Sequence, residues 1–516
     1  MTPGAGDQAV NAADLATCLG RLALSHPQSC ALRFGTDSRS YAELDRRASD
    51  VGTLLDERGV RPGDRVAVLS TNRLEVVDTF FGIVRLGAIV VPLNTRLSTT
   101  EVRYQLNDCG AEVLVAERAL LERHPELRRP FRVVLVDDLP PHAGTAPCPS
   151  PVVDDHSPAF ILYTSGTTGP PKGAMLSHRN LVFRTYAGLL GMGVAGGDEV
   201  WYSGLPLFHI GGWSSVLMYL YVGATVVLAP STGFDADAAV AAMVDHGATG
   251  AFFVPTQWQA VCDAVGERRI PLRRMVWGAS PAPRVLLERM SETFPGVPNI
   301  SAFGQTETAA STCMLRGDDS IRKMGSVGTP LVGVAVRIVD DEMRDVPRGE
   351  VGEIVYQGPT VFLGYWNRPE ATAEATAGGW FHSGDLCRQD DDGFIWVVDR
   401  KKDMIVTGGE NVYCAEVESV LSTHPGVRDV AVIGLPHPRW VETPCAVIVP
   451  TDPDTPPDPS DVIAFAAAHL ASYKKPTSVE FVDILPRNAS GKVLKTELRS
   501  RFRPPAPHTG ERRDAS

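Results

Sequence analysis

Apolar residues recur along this chain at two alternating periods. Across residues 41–58, Leu44, Ala48, Val51, Leu54 and Leu55 fall at helical spacing, and the pattern stops at Gly59. Residues 74–86 repeat it. Residues 66–69 and 88–92 are instead short, apolar and β-branched, and 36–40 reads as a hairpin turn between strands. Strand patterns return at 133–136, 224–228, 250–254 and 275–277. Helix and strand signals that alternate in this way predict βαβ units and a mostly parallel sheet, an α/β fold. After Gly325 the texture changes to short strands (335–339, 352–356, 394–398), which predicts a β-rich subdomain. A charged run, Asp399-Arg-Lys-Lys-Asp403, follows. Beyond it lies a small α/β module, with helices at 414–422 and 461–470 and strands at 430–433, 446–449 and 481–484. The expected division is a large N-terminal domain (1–399), a small mobile C-terminal domain (400–502) and a disordered tail (503–516). The Pro-rich segment 140–151 reads as an exposed loop.

Length agrees with this, since 516 residues exceed what one compact core supports. A hydrophobic content of 44% and a charged content of 21% fit a globular enzyme. The net charge, 49 − 61 = −12, argues against nucleic-acid or anionic-membrane partners. Nine cysteines, an odd number with no C-x-x-C pair, argue against a disulfide scaffold or zinc site and for a reducing compartment. Residues 1–14 carry no secretory pattern, so the expected location is cytoplasmic. Residues 200–234 hold no formally charged side chain, but Gly211, Gly212 and Gly223 interrupt them and Pro206 and Pro230 flank the apolar part. Buried helix and strand is the better reading than a membrane span.

Chemistry concentrates first in Tyr163-Thr-Ser-Gly-Thr-Thr-Gly-Pro-Pro-Lys-Gly173. Glycines bring backbone N–H groups close to a ligand, Thr164, Ser165, Thr167 and Thr168 add hydroxyls, and Lys172 adds a cation. The stretch describes a phosphate-holding loop. It is not a Walker loop, because Pro171 precedes Lys172 and Gly173 follows it.

The stretch resembles the phosphate-binding signature of the adenylate-forming superfamily: acyl-CoA synthetases, aryl ligases, luciferases and peptide-synthetase adenylation domains. The texture is nearest to bacterial fatty-acyl-CoA ligases, and the resemblance spans residues 41–498. It implies that Thr164, Ser165, Gly166, Thr167, Thr168, Gly169 and Lys172 bind ATP. Phe303-Gly-Gln-Thr-Glu-Thr308 resembles the family's second motif. There Phe303 would stack on the adenine, with Ala302 and Gly304 also in the cofactor site, Thr306 would lie near the α-phosphate, and Glu307 with Thr164 would hold Mg2+. Gly278, Ala279 and Ser280, in Trp277-Gly-Ala-Ser-Pro281, would lie between nucleotide and acyl pocket. Asp385, in Trp380-Phe-His-Ser-Gly-Asp385, would accept from the ribose hydroxyls, with Arg400 as the second ribose contact.

Asn488-Ala-Ser-Gly-Lys492 resembles the motif that carries the catalytic lysine. A carboxylate that approaches an anionic phosphate needs a cation, and Lys492 would supply it. Lys402 falls at the family's hinge position. A swing there would bring Gly408, Gly409 and Glu410 to the site to pass the pantetheine arm of CoA. Two departures stand in the same module. Cys414 occupies a position that is commonly Pro, and Val441 one that is commonly Gly.

The acyl pocket is expected from His209, Gly211, Gly212, Trp213, Trp277, Gly278 and Ala302. These segments contain no Arg or Lys, which favours an apolar monocarboxylic acid. The glycines leave room for a bulky group, which Trp277 could close. The leading expectation is an AMP-forming acid–CoA ligase that uses ATP, Mg2+ and CoA. The alternative is an adenylating enzyme that hands its acyl group to an amine, a carrier-protein thiol or a partner enzyme. A luciferase-like oxygenase is a minor alternative. A silent binding protein on this fold is disfavoured by the presence of Lys172, Glu307, Asp385, Arg400 and Lys492 together.

Overall fold

The computed structural model describes residues 14–139, 148, 151–164, 170–280, 282–317, 319–407, 410–487 and 493–503. The chain divides into two compact units. The first comprises Met1–Arg337, Val355–His382 and Gln389–Trp396, and the second Ile338–Ile354, Ser383–Arg388 and Val397–Ser516.

Two sheets organise the first unit. The larger runs, edge to edge, through Thr329–Pro330, Cys313–Leu315, Asn299–Phe303, Arg274–Gly278, Gly250–Phe253, Val200–Ser203, Thr225–Leu228, Cys30–Phe34 and Asp37–Ser40. Its six central strands are mutually parallel, and antiparallel strands close both edges. The second runs Gly364–Tyr365, Lys172–Ser177, Pro158–Thr164, Ile89–Pro92, Arg65–Leu69, Val113–Ala116 and Arg132–Leu135, parallel except for its first two strands. A third sheet is formed by Ala335–Val339, Gly352–Gln357, Phe381–Gln389 and Ile395–Arg400.

The helices start where the sequence offers reciprocal caps. Ser40 with Glu43, and Ser98 with Glu101, form capping boxes ahead of Tyr41–Glu57 and Thr99–Cys109. The charge-free stretch folds as a buried helix, Ile210–Leu220, and a strand, Thr225–Leu228. No described helix is long and apolar enough to cross a membrane.

In the second unit, Val427–His437 and Val441–Pro450 pair antiparallel, and Ser478–Phe481 adds a parallel strand. Alternation decides what packs where. Val432, Ala446 and Ile448 face one apolar cluster, and Ala431, Ile433, Cys445 and Val447 face another. The strand expected at 481–484 lies earlier, at Ser478–Phe481, and Ile484 is exposed. Sheet pairing, and not the run of apolar residues, set its ends. The nine cysteines are free thiols, all buried except Cys30. The loop expected at 140–151 lies largely outside the described residues, as does the tail beyond Arg503.

A buried histidine fastens the first described helix. Asp14 caps Leu15–Ser25 by accepting from the Thr17 N–H at 2.8 Å. The Leu15 N–H donates to His178 Nδ1 at 3.3 Å. Burial pushes His178 down to about 4, against the pull of Asp14, Asp155 and Asp154. The unfolded chain therefore binds this proton more readily than the folded one between about pH 4 and 6.5. Stability from this group is full above 6.5 and lost as pH falls, by about 2 kcal/mol at pH 5. His178→Gln keeps an acceptor and cannot titrate. Its apparent Tm should fall less than the wild type's between pH 7.5 and 5, and equal falls would sink the assignment.

Candidate active site

Residues 165–169 lie outside the described structure, but both ends of the phosphate stretch are fastened. Thr164 and Lys172 are cross-strand partners, and the Thr164 hydroxyl donates to the Lys172 carbonyl at 3.4 Å. Tyr104 donates to the Pro171 carbonyl at 3.0 Å, and Tyr163 donates to Asp108 Oδ2 at 2.8 Å. The stretch thus joins two antiparallel strands, Pro158–Thr164 and Lys172–Ser177. A strand, Lys172–Ser177, separates it from the helix His178–Met192.

Strand residence fixes where Lys172 reaches. Its ammonium stands 5.1 Å from the centre of the Tyr365 ring. Tyr365 is held one strand over, paired with Ala174, and its hydroxyl donates to Glu307 Oε1 at 2.9 Å. Glu307 is buried, and its carbonyl accepts from the Phe362 N–H at 2.8 Å. Lys172, Tyr365 and Glu307 therefore form one connected group. Tyr365 was missed in the sequence. Its only signal was an aromatic pair, Tyr365-Trp366, after Gly364.

The second motif is a tight turn at the carboxyl end of Asn299–Phe303. The Thr312 N–H donates back to the Phe303 carbonyl at 2.8 Å. A Cβ on Gly304 would stand 2.5 Å from the Ala310 carbonyl oxygen, so only glycine fits. Thr306 and Glu307 begin a short 3-10 turn, which Ala309 and Ala310 leave at φ 54° and 93°. Two positive-φ alanines in succession mark a turn that its surroundings over-determine. Beside it, Gly278 pairs with Ala302, and Ala279 and Ser280 emerge exposed, Ala279 at φ 68°. Gly278, Ala302 and Phe303 thus lie at carboxyl ends of neighbouring strands, where open α/β sheets bind ligands.

One pocket expectation is corrected. Trp277 turns into the core with Trp258, Met290 and Phe294, and its indole N–H donates to Asn299 Oδ1 at 2.6 Å. Strand alternation sends its ring to the face opposite Gly278, so it does not close the acyl space. Trp213 is buried and lines a small cavity with Leu207 and Phe208. Its ring lies 4.3 Å from Phe80 and 5.7 Å from Phe160, beside this cavity of about 10 Å³.

Gly211 and Gly212 open the helix that His209 precedes. His209 Nε2 is closed off and meets no acceptor among the described residues. Burial, helped by the Arg96 cation, pushes the ring down to about 4, so it is neutral at neutral pH. A further missed residue is Asn72, which pins this segment. It donates to the Leu205 and Ala229 carbonyls at 2.9 and 3.0 Å and accepts from the Leu207 N–H at 2.8 Å.

In the second unit Asp385 is buried, and Arg400 Nε reaches its Oδ1 at 2.6 Å. The Lys401 N–H donates to the Gly384 carbonyl at 2.9 Å, and Lys402 is exposed. Gly408, Gly409 and Lys492 lie outside the described residues, and Glu410 follows as an exposed strand residue paired with Thr407.

Both departures have a local account. Cys414 is the first residue of the helix Cys414–Leu421, the position that favours Pro, and its thiol donates to the Asp403 carbonyl at 2.9 Å. Val441 sits at φ 71° and pairs with both Thr407 and His437. A β-branched residue there keeps the conformation that glycine prefers, at a cost of about 1–2 kcal/mol. Val441→Gly should raise the apparent Tm of the second unit by relieving about 1 kcal/mol of this strain. A lower Tm would show that the side chain, 70% exposed, contributes more than the strain costs.

Among the described residues no group of three His, Cys, Asp or Glu side chains could hold a metal by itself. Glu307 with Thr164 suits an ion that keeps one or two protein oxygens and takes the rest from phosphates and water, as Mg2+ does.

Comparisons with known proteins identify the family. The model of the AMP-binding enzyme family matches residues 20–366, and that of the AMP-binding enzyme C-terminal domain matches 416–492. A feruloyl-CoA synthase from an Amycolatopsis species is 42% identical over 493 residues, covering 93% of this chain and 98% of that protein. A 2-succinylbenzoate–CoA ligase from Geobacillus kaustophilus is 38% identical, covering 92% and 95%. The solved o-succinylbenzoate CoA synthetase of Bacillus subtilis, in complex with its acyl-adenylate intermediate, superposes with a TM-score of 0.85 at 33% identity, covering 93% of this chain and 97% of that one.

Proposed function

The chain belongs to the AMP-binding enzyme family and carries out ATP-dependent acid–CoA ligation, and from that premise we propose that its acid has an aryl body on a short chain. Its cofactors are ATP, Mg2+ and CoA. The acid carboxylate attacks the α-phosphate of ATP, which forms acyl-AMP and expels pyrophosphate. The CoA thiol then attacks the acyl carbon and expels AMP.

The connected group Lys172–Tyr365–Glu307 supports the adenylation half of this reading. It joins the phosphate stretch to the acidic turn of the second motif. In this reading Lys172 meets phosphate oxygens. Glu307 and Thr164 would hold the magnesium, whose charge offsets that of the phosphates. Phe303 presents a ring to the base, and Gly278, Ala279 and Ser280 border nucleotide and acid. Asp385 and Arg400 bind the ribose hydroxyls, and Arg400 holds the carboxylate ready at 2.6 Å. Lys492 supplies the cation for adenylation. Lys402 is the hinge, with the domains dividing near residue 400, and Gly408, Gly409 and Glu410 admit CoA. His209, neutral, borders the acid and needs no proton-transfer role, because a carboxylate nucleophile is already ionised. The aryl preference draws on the two curated relatives, one named for an aromatic acyl-CoA product and the other for an aromatic acid substrate. The cytoplasm is the proposed location.

Mass spectrometry of acyl-AMP and acyl-CoA tests the proposal, with aryl, arylalkyl and fatty acids, ATP and Mg2+, with and without CoA. Aryl acyl-CoA that forms as fast as AMP is the expected result. Turnover of fatty acids alone would overturn the acid class. Acyl-AMP that accumulates despite CoA would point to another acceptor and to Val441.

A further inference from the structure

Arg184 stands in the middle of the helix His178–Met192, 3% exposed. Its side chain lies along its own helix over Gly188, where a Cβ would come 2.1 Å from Nη1, so a side chain at 188 would displace it. Met218 Sδ, from the helix that His209 opens, flanks the same point at 2.8 Å. Nη2 donates to Ser311 Oγ at 3.2 Å. Nε and Nη1 are buried and meet no acceptor among the described residues. Burial alone pulls the guanidinium down, to about 10, which leaves it charged at neutral pH.

A buried guanidinium without a carboxylate is costly, and a chain keeps one where something arrives to meet it. The surroundings indicate what arrives. Ser311 follows the strained pair Ala309 and Ala310, and its Cα lies 2.6 Å from where a Cβ on Gly304 would stand. Arg184 therefore touches Ser311, behind the Phe303–Gly304 turn assigned to the base, and packs beside Met218 in the helix that Gly211 and Gly212 open, which is assigned to the acid. Those segments lack Arg and Lys themselves. This cation comes from a stretch that the pocket reading did not include.

We propose that Arg184 reads the end of the acid remote from its reacting carboxylate, with Nε and Nη1 donating to an oxygen acceptor there. The acceptor is a second carboxylate or a ring hydroxyl on the aryl body. This rests on the ligase reading above.

The test measures pyrophosphate release at graded acid concentrations. It uses cinnamate, 4-hydroxycinnamate and 4-carboxycinnamate, and 4-phenyl-4-oxobutanoate with its ring-carboxylated counterpart. The wild type should favour an oxygen-bearing acid over its bare parent by about 10²-fold or more in kcat/KM, and the member that wins names the acceptor. Arg184→Met should bring that preference close to parity and leave the bare acids nearly unchanged. Arg184→Lys should keep more of the preference for a carboxylate than for a hydroxyl. A wild type without preference in either series overturns the assignment, whether or not the variants fold. So does an Arg184→Met or Arg184→Lys variant that slows every acid in parallel. Failure of all acids to yield AMP and pyrophosphate would instead sink the ligase reading.

Discussion

Replacing Lys492 by alanine is expected to slow acyl-adenylate formation by about 10²–10³-fold, the usual loss when one charge-stabilising donor is removed. The chemistry sets the size. In the first step an anionic carboxylate meets the α-phosphate of a polyanion, and negative charge grows on the oxygens between them. An ammonium placed there lowers the barrier. It has no comparable task once acyl-AMP exists, because a thiolate then attacks a neutral acyl carbon. Lys492→Ala should therefore still convert supplied acyl-AMP and CoA to thioester at close to the wild-type rate and should bind ATP nearly as well. Single-turnover measurement of each half-reaction separates the two steps. Full-rate acyl-AMP formation would refute the assigned role, and equal loss in both halves would reduce it to a general structural one.

Glu307→Gln is expected to cost a similar factor in the same step, about 10²–10³-fold, with a raised requirement for Mg2+. The substitution keeps the size of the side chain and an oxygen to accept from Tyr365, which donates at 2.9 Å. It removes only the charge. Folding should survive, so an unchanged Tm beside a lost rate would isolate the electrostatic part. Tyr365→Phe should cost far less, about 3–10-fold, because it removes one orienting hydrogen bond of about 1 kcal/mol and leaves the carboxylate. The ring that faces Lys172 also remains. Activity of Glu307→Gln within twofold of wild type would remove Glu307 from the metal site.

The two effects differ in what the sequence disclosed. Glu307 stands in a motif, and its neighbours in the chain announce it. Tyr365 lies in a two-residue strand whose position comes from pairing with Ala174, a register that no local pattern encodes. Lys172 was legible as a cation near phosphate-binding glycines. That it belongs to a strand was not, because its pairing with Thr164 forms across the sheet and no local pattern encodes it. Trp277 read as a pocket residue by position and proved to be core. Which face of a strand or helix is covered depends on elements far along the chain. Val441 was visible as a substitution for glycine, but the reason for glycine, a backbone at φ 71°, is a property of the folded hairpin.

The sequence by itself determined the family, the acid–CoA ligation and the α/β architecture. These rest on short motifs and on local periodicity, which neighbouring residues carry together. Only the tertiary structure decided which rings are core, that Tyr365 links Lys172 to Glu307, and that Arg184 is a cation sealed from water. Those facts depend on burial and on cross-strand register, which arise when distant segments pack, and no single stretch holds them in advance.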